Sequence, residues 1–451
     1  MNTQILDTLQ ILRNLVWSAP LLIFLTSVGI YLTWILKGLQ FRYLIHSFRL
    51  SFTSGNASSK QGELTHFQAL MTSLAAAIGT GNIAGVATAI TAGGMGAVFW
   101  MWVFALFGMA LKYSEAFLSV LYRQKNQQGE MSGGPMYVLS NGCNQKILGS
   151  CFAFLGVLAT FGTGNMVQVN SVADAVGNLT PIPPLTTGIL LALTTGWVLL
   201  GGVKSIGKIS EIFVPVMASL YILCGLWVLF SQAHAIPEVF LTIFHSAFYG
   251  QAAIGGFLGS TVSAGIQAGI ARGVFSNEAG LGTSSIASAA TITDEPGHQA
   301  LVSMTSVFIA TIIVCTITAL VIGVSGVLGN IDQATGLPLN GAPLAMAAFE
   351  TGLPGGAACV ALGLIFFAYS TILGWAYYGE KCLEYLAGEK WIPHYRVAYI
   401  LVMIPASIWG LEVTWLLADI ANGLMAIPNL IALILLSSVL KKESHRFLKT
   451  I

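Results

Sequence analysis

Long apolar runs separated by short polar loops dominate the chain. About 20 apolar residues cross the hydrocarbon of a bilayer as one helix. On that measure the pattern predicts eleven spans, over residues 16–37, 67–93, 97–122, 149–176, 184–203, 210–231, 252–291, 298–327, 355–380, 393–409 and 412–439. Two of them are not uniform. The second carries Ala75-Ala76-Ala77-Ile78-Gly79-Thr80-Gly81-Asn82-Ile83-Ala84-Gly85-Val86, a Gly-x-Gly-Asn interruption within a membrane-length segment. The seventh is too long and too rich in Gly and Ser for one clean helix, and holds Phe275-Ser276-Asn277-Glu278-Ala279-Gly280-Leu281-Gly282. Unpaired backbone N–H and C=O groups cost several kcal/mol each in hydrocarbon, so a helix breaks there only where the break faces protein or a polar cavity. Two such breaks point to one shared site.

The breaks also order the chain. With span 16–37 set aside as an extra N-terminal helix, each broken helix opens a run of five, residues 67–231 and 252–439. Five is odd, so the second run is inverted relative to the first. The expectation is an all-α polytopic membrane protein, with a single transmembrane domain over residues 1–451 and an inverted 5+5 core. Sixteen of the 19 Lys and Arg, from Lys37, Arg42, Arg49 and Lys60 through Lys441, Lys442, Arg446 and Lys449, fall in loops on one side. That side is the cytoplasm by the positive-inside rule, which puts the N-terminus outside and the C-terminus inside.

Composition narrows the class. The chain is 55% hydrophobic and 8% charged, with a net charge of +1, against roughly 25% charged in a soluble domain. There is no basic stripe of the kind nucleic acid requires, so nucleic-acid binding is excluded. The six cysteines fall mostly in apolar segments without CxxC spacing, and read as small core residues rather than as a disulfide framework or zinc site. The first apolar segment lacks a basic n-region and a small-x-small cleavage site, and reads as a retained span. No Ser/Lys, His/Glu or paired-Asp arrangement recurs within the spans and no P-loop is present, which argues against an enzyme or an ATP-driven pump. No cofactor is expected.

Gly79-Thr80-Gly81-Asn82-Ile83-Ala84-Gly85-Val86-Ala87, Ala97-Val98-Phe99-Trp100-Met101-Trp102 and Phe275-Ser276-Asn277-Glu278-Ala279-Gly280 resemble the alanine or glycine:cation symporter family over nearly the whole chain. Met95 stands where the family commonly has proline, which bears on how the second span ends. The resemblance implies a leucine-transporter-like core behind one extra helix. It also implies sodium-driven import of alanine, glycine or a related small neutral amino acid across the cell membrane.

Alanine is a zwitterion, so its site needs partners for a carboxylate and an ammonium but no net protein charge. The half-helix starting near Asn82 offers free N–H groups and a positive dipole end to the carboxylate. Gly79, Thr80 and Gly81 form the break, where glycine permits close approach. Carbonyls near Phe275 and Ser276, with the side-chain oxygens of Gln168 and Asn170, can accept the ammonium protons. Through the resemblance, Trp375 is expected to close the pocket with Phe275 over the substrate methyl. Sodium prefers oxygen ligands, as other hard cations do. Ser370 and Thr371 resemble the hydroxyl pair that holds sodium in this fold, with the carbonyls of Ala75, Ile78 and Phe367 completing five oxygens. Asn82 is also placed beside a second cation by that resemblance.

Plainer readings stand beside these. Gly81 and Gly85 form a small-xxx-small packing face, and Ser370 and Thr371 can return hydrogen bonds to the preceding turn. Lys112 and Glu115, three residues apart, can pair on one helix face, as can Arg272 and Glu278. Two other functions remain open: a proton-coupled importer, which would want Glu115 or Glu278 at the site, and an amino-acid sensor that binds without transporting.

Overall fold

The computed structural model describes residues 3–52, 61–252, 259–332, 336–409 and 411–451. Lys60 and the opening of the expected 252–291 span lie outside them.

Two helices, α1 (Thr3–Val16) and α2 (Ala19–Ile35), open the chain, and two short ones, Leu39–Arg42 and Leu44–Ser51, follow before the core. Helices α1 and α2 join at Ser18 with Pro20 in the first turn of α2, a position where its missing N–H costs nothing. The indole of Trp17 donates to Asp419 O at 2.8 Å, and Arg13 pairs with the Asp419 carboxylate at 3.3 Å. These contacts dock the extra segment onto the core.

The first broken helix starts at a reciprocal cap, in which Gln68 N donates to Thr65 Oγ1 and Thr65 N to Gln68 Oε1, each at 3.1 Å. This satisfies two of the donors that a helix start leaves unpaired. It runs as α3 (His66–Ala77), bends by 41° at Ile78 and Gly79, and continues as α4 (Thr80–Gly93). Next come α5 (Gly96–Leu121) and then α6 (Lys146–Phe161), which passes through a π-helical turn at Gly162–Met166 into α7 (Val167–Leu179). Helices α8 (Pro184–Leu199) and α9 (Gly202–Ser231) follow.

A surface helix, α10 (Ile236–Tyr249), leads to the second interruption. Here α11 (Val262–Asn277) ends, residues 278–284 turn, and α12 (Ser285–Ala289) is a short stub. Then α13 (Pro296–Val307), a π-helical stretch Phe308–Cys315 and α14 (Thr316–Ser325) form one continuous rod. Helix α15 (Gly341–Gly352), the long α16 (Gly356–Ala387), α17 (Ile392–Ala406), α18 (Leu411–Leu435) and α19 (Ser437–Phe447) complete the chain.

Seven of the described helices are long and apolar enough to cross a membrane, or eight with the bent pair α3 and α4 counted as one span. That is fewer than eleven for a physical reason. Helix α8 is a shorter apolar helix, α17 has only 15 residues, and α11 ends at its break, so length and hydropathy alone do not qualify them. The interior is built around the broken elements, with α11 packed on α4 and α5, and α16 on α3, α6 and α7.

Contrary to the sequence reading, the cysteines are not all small core residues: Cys224 on α9 and Cys359 on α16, 135 residues apart, form a disulfide.

Candidate substrate and sodium site

Three departures from regular α-helix converge inside the bundle, namely the α3–α4 bend, the turn after α11 and the π turn at Gly162–Met166, with the π stretch Phe308–Cys315 tied to them through Asn82. π turns recur at functional sites because they locally re-aim side chains. Around these departures lies a small cavity of about 10 Å³, close to the volume needed for one water. Gly79 and Gly81 form one wall, Gln168 and Thr163 a second, Phe275, Glu278 and Leu281 a third, and Thr371, Trp375 and Asn422 close the rest.

Close packing fixes the two aromatic walls. A Cβ on Gly164 would lie 2.2 Å from Trp375 Cβ, so only glycine in the π turn lets the indole seat. The Trp375 N–H donates to Ala76 O at 3.3 Å, tying the ring to the end of α3. Opposite, a Cβ on Gly81 would lie 2.7 Å from Phe275 Cδ1. Gln168 Nε2 donates to Thr163 O at 3.0 Å, and Asn422 Nδ2 donates to Thr163 Oγ1 at 2.8 Å. The π turn therefore anchors both amides.

Beside the cavity, Ser370 and Thr371 reach across from α16 to α3. Thr371 Oγ1 lies 3.0 Å from Ala75 O and 2.9 Å from Phe367 O; Ser370 Oγ lies 3.3 Å and 2.9 Å from the same two carbonyls. Four of the five oxygens named from the sequence thus share one cluster. Ile78, the fifth, ends α3 at the bend, and its N–H donates to Leu74 O at 2.7 Å. Neither hydroxyl donates to its carbonyl. The return bonds to Phe367 O are those a helix hydroxyl makes locally; the bonds to Ala75 O are not local.

Other residues named from the sequence sit elsewhere. Thr80, Asn82 and Ser276 are buried but lie outside the lining of the cavity. Asn82 Nδ2 donates to Ser276 Oγ at 2.9 Å and to Ala310 O at 3.0 Å, and Asn82 Oδ1 accepts from Gly79 N at 3.4 Å. Asn82 thus bridges both broken helices to the second π stretch. Phe275 and Ser276 lie in the last turn of α11, where carbonyls lack helical partners. Asn170 Nδ2 is spent on Ala406 O and Trp409 O.

Lys112 differs from its expected pairing. Its ammonium donates to Asn277 O at 2.7 Å, while Glu115 Oε1 accepts from Gly280 N at 2.9 Å and Asn429 Nδ2 at 2.8 Å. Among the described residues no ion pair joins Lys112 to Glu115, or Arg272 to Glu278. Both members of the first pair instead hold the turn after α11. Arg272 lies over the rings of Phe275 and Trp415, 5.8 Å from each centroid.

That last stack separates two spaces. Phe275 lines the small cavity and Trp415 lines a wider vestibule of about 600 Å³, and their rings are 5.4 Å apart. At the other end, the chain before α3 and the chain after α12 are pinned together. Leu64 N donates to Ala290 O and Ile292 N to Leu64 O. Arg123 spans both strands, donating to the carbonyls of Ala289, Thr291, Gln61 and Thr293.

Among the polar lining residues, Thr163 and Asn422 had no site role in the sequence reading, and Glu278 had one only under proton coupling. Glu278 was visible in its motif and was read as an ion-pair partner. The glycines flanking Thr163 were a signal of irregular helix, whereas Asn422 carried none beyond being an amide in an apolar run.

A family model, the sodium:alanine symporter family, matches residues 2–451. A relative from Methanococcus maripaludis, the sodium/alanine symporter AgcS, is 51% identical over 96% of this chain and 95% of its own length. The chain belongs to the sodium:alanine symporter family. The probable sodium/glutamine symporter GlnT of Bacillus subtilis is 37% identical, over 95% of this chain and 88% of its own. In fold, this symporter is similar to MhsT, solved in complex with L-phenylalanine, with a TM-score of 0.62 at 16% identity, covering 86% of this chain and 93% of that one. The architecture is accordingly that of the leucine-transporter fold. Membership makes the symporter a multi-pass membrane protein that couples amino-acid movement to sodium, and not an enzyme.

Proposed function

We propose that this symporter imports alanine, glycine or a related small neutral amino acid into the cell, with sodium bound between α3 and α16. The observation that carries the reading is the pair of hydroxyls, Ser370 and Thr371, meeting Ala75 O immediately beside the cavity. An ion there touches the same bend that the substrate carboxylate would meet at Gly79 and Gly81, so each ligand orders the other's site. Such coupling is reciprocal by thermodynamic necessity. Trp375 and Phe275 crowd the cavity and favour a small side chain.

In this reading the chain crosses the cell membrane eleven times, N-terminus outside and C-terminus in the cytoplasm. Residues 67–231 and 252–439 are the two inverted repeats, and access alternates by motion of one bundle against the other. Each sodium ion entering gains about 2.3 kcal/mol per 100 mV of membrane potential, which drives a substrate of no net charge.

The test is equilibrium binding of labelled alanine to the purified protein with sodium, and with sodium replaced by potassium. Sodium-dependent binding supports the reading; the same affinity without sodium contradicts it. A second reading, proton coupling, has one observation in its favour, namely that Glu278 lines the cavity. Uptake driven by a pH gradient in sodium-free buffer would establish it.

A further inference from the structure

We propose that Glu278, Gln168 and Asn422 together form the receptor for the substrate's ammonium group, an assignment that rests on the proposed transport of a zwitterionic amino acid. Each of the three side chains is almost wholly buried, at 2%, 2% and 1% exposure. Each lines the cavity, and each carries an oxygen that accepts no hydrogen bond of good geometry among the described residues: Gln168 Oε1, Asn422 Oδ1 and Glu278 Oε1, the last on a carboxylate near the Trp375 indole. Buried polar atoms are nearly always satisfied, and an orphan acceptor costs about 1–3 kcal/mol. Three orphans around one cavity, from three separate elements, form an arrangement waiting for donors.

The donor set that fits is an ammonium, with three N–H groups and no acceptor, as in a lysine head. The other atoms of these side chains are already committed, which fixes the free oxygens. Gln168 and Asn422 spend their NH₂ groups on Thr163. Glu278 Oε2 accepts from Thr283 at 3.1 Å. Glu278 itself holds a left-handed conformation, φ +57°, at the end of α11, a conformation uncommon outside glycine and worth a functional question.

Lys112, the nearby cation, is committed to Asn277 O at 2.7 Å, which leaves these acceptors to another donor. The substrate carboxylate stays with the N–H groups at the start of α4, so the two ends of the zwitterion bind opposite walls. Sodium is the competing occupant, since it too seeks oxygen, and the experiment separates the two.

The full-length protein is tested in Glu278→Gln and Asn422→Ala. Three readings are taken: alanine affinity at saturating sodium, the sodium concentration giving half the thermal shift without alanine, and competition by lactate, which has a hydroxyl where alanine has its ammonium. Wild type is expected to prefer alanine strongly over lactate. Glu278→Gln should lose about tenfold or more in alanine affinity, the scale of one charge-assisted hydrogen bond. Its preference over lactate should shrink by the same factor, and its sodium half-point should stay within about twofold. Unchanged alanine affinity, an unchanged preference over lactate, or a loss confined to sodium overturns the assignment. Should Glu278→Gln show no cooperative melting, Asn422→Ala decides by the same readings. Wild type that binds no amino acid with sodium would instead overturn the transport reading itself.

Discussion

Thr371 Oγ1 lies 3.0 Å from Ala75 O, a contact between the middle of α16 and the last turn before the α3–α4 bend. A hydroxyl normally returns its proton to its own helix, and Thr371 does so as well, to Phe367 O. Reaching a second helix at the point where that helix breaks gives the oxygen cluster its link to the cavity.

Thr371→Ala removes one of the cluster's oxygens while leaving the backbone carbonyls. The sodium concentration for half-maximal uptake should rise about tenfold, equivalent to 1.4 kcal/mol, with Thr371→Ser close to wild type. Uptake measured across a sodium series checks this, and an unchanged half-point in Thr371→Ala would remove the residue from the ion site.

Trp375 sets the size limit. Trp375→Phe shrinks the ring and gives up its bond to Ala76 O, so valine uptake relative to alanine should increase. Gly164→Ala acts oppositely, placing a methyl where Trp375 Cβ stands. Overpacking of this kind costs about 1–3 kcal/mol, visible as a lower melting temperature with weaker alanine binding. A Gly164→Ala protein with wild-type melting and binding would show that the indole is free to shift.

Arg123 holds four carbonyls on two chain segments. Arg123→Gln should speed amide hydrogen exchange at Leu64 and Ile292, the paired positions, by at least tenfold, with exchange in α9 unaltered. Equal acceleration throughout would indicate general destabilisation instead of a local clasp.

Acid should loosen the turn between α15 and α16. Two backbone donors, Ala357 N at 2.8 Å and Gly355 N at 3.1 Å, hold the exposed Glu350 carboxyl below its usual range. Because the folded value is the lower one, this contribution is present above the unfolded value and is lost as pH falls through the folded value. Exchange at Gly355 and Ala357, corrected for intrinsic rates, should rise below about pH 4 in wild type, and Glu350→Gln should show the faster rate already at neutral pH.

The large features of the fold were legible because they are written locally. A Gly-x-Gly-Asn within an apolar run is incompatible with continuous lipid-facing helix, and α3 and α4 bend there. The second break was legible as well, since α11 ends at Asn277, inside the Phe275–Gly282 stretch rich in Gly and polar residues. Glu278 faces the cavity because of a left-handed turn, which residue types do not announce at glutamate. Thr163 and Asn422 meet only through the π turn, and Cys224 and Cys359 only through tertiary packing. The partners of the Asn82 amide, Ser276 and Ala310 O, lie some two hundred residues along the chain and are not written in its motif.

The most direct test is uptake of labelled alanine into liposomes containing the purified protein, under an inward sodium gradient, an inward proton gradient, or neither. The account predicts concentrative uptake with the sodium gradient alone, strengthened by an inside-negative potential. Uptake that follows the proton gradient and ignores sodium, or alanine binding with no uptake under any gradient, would contradict it.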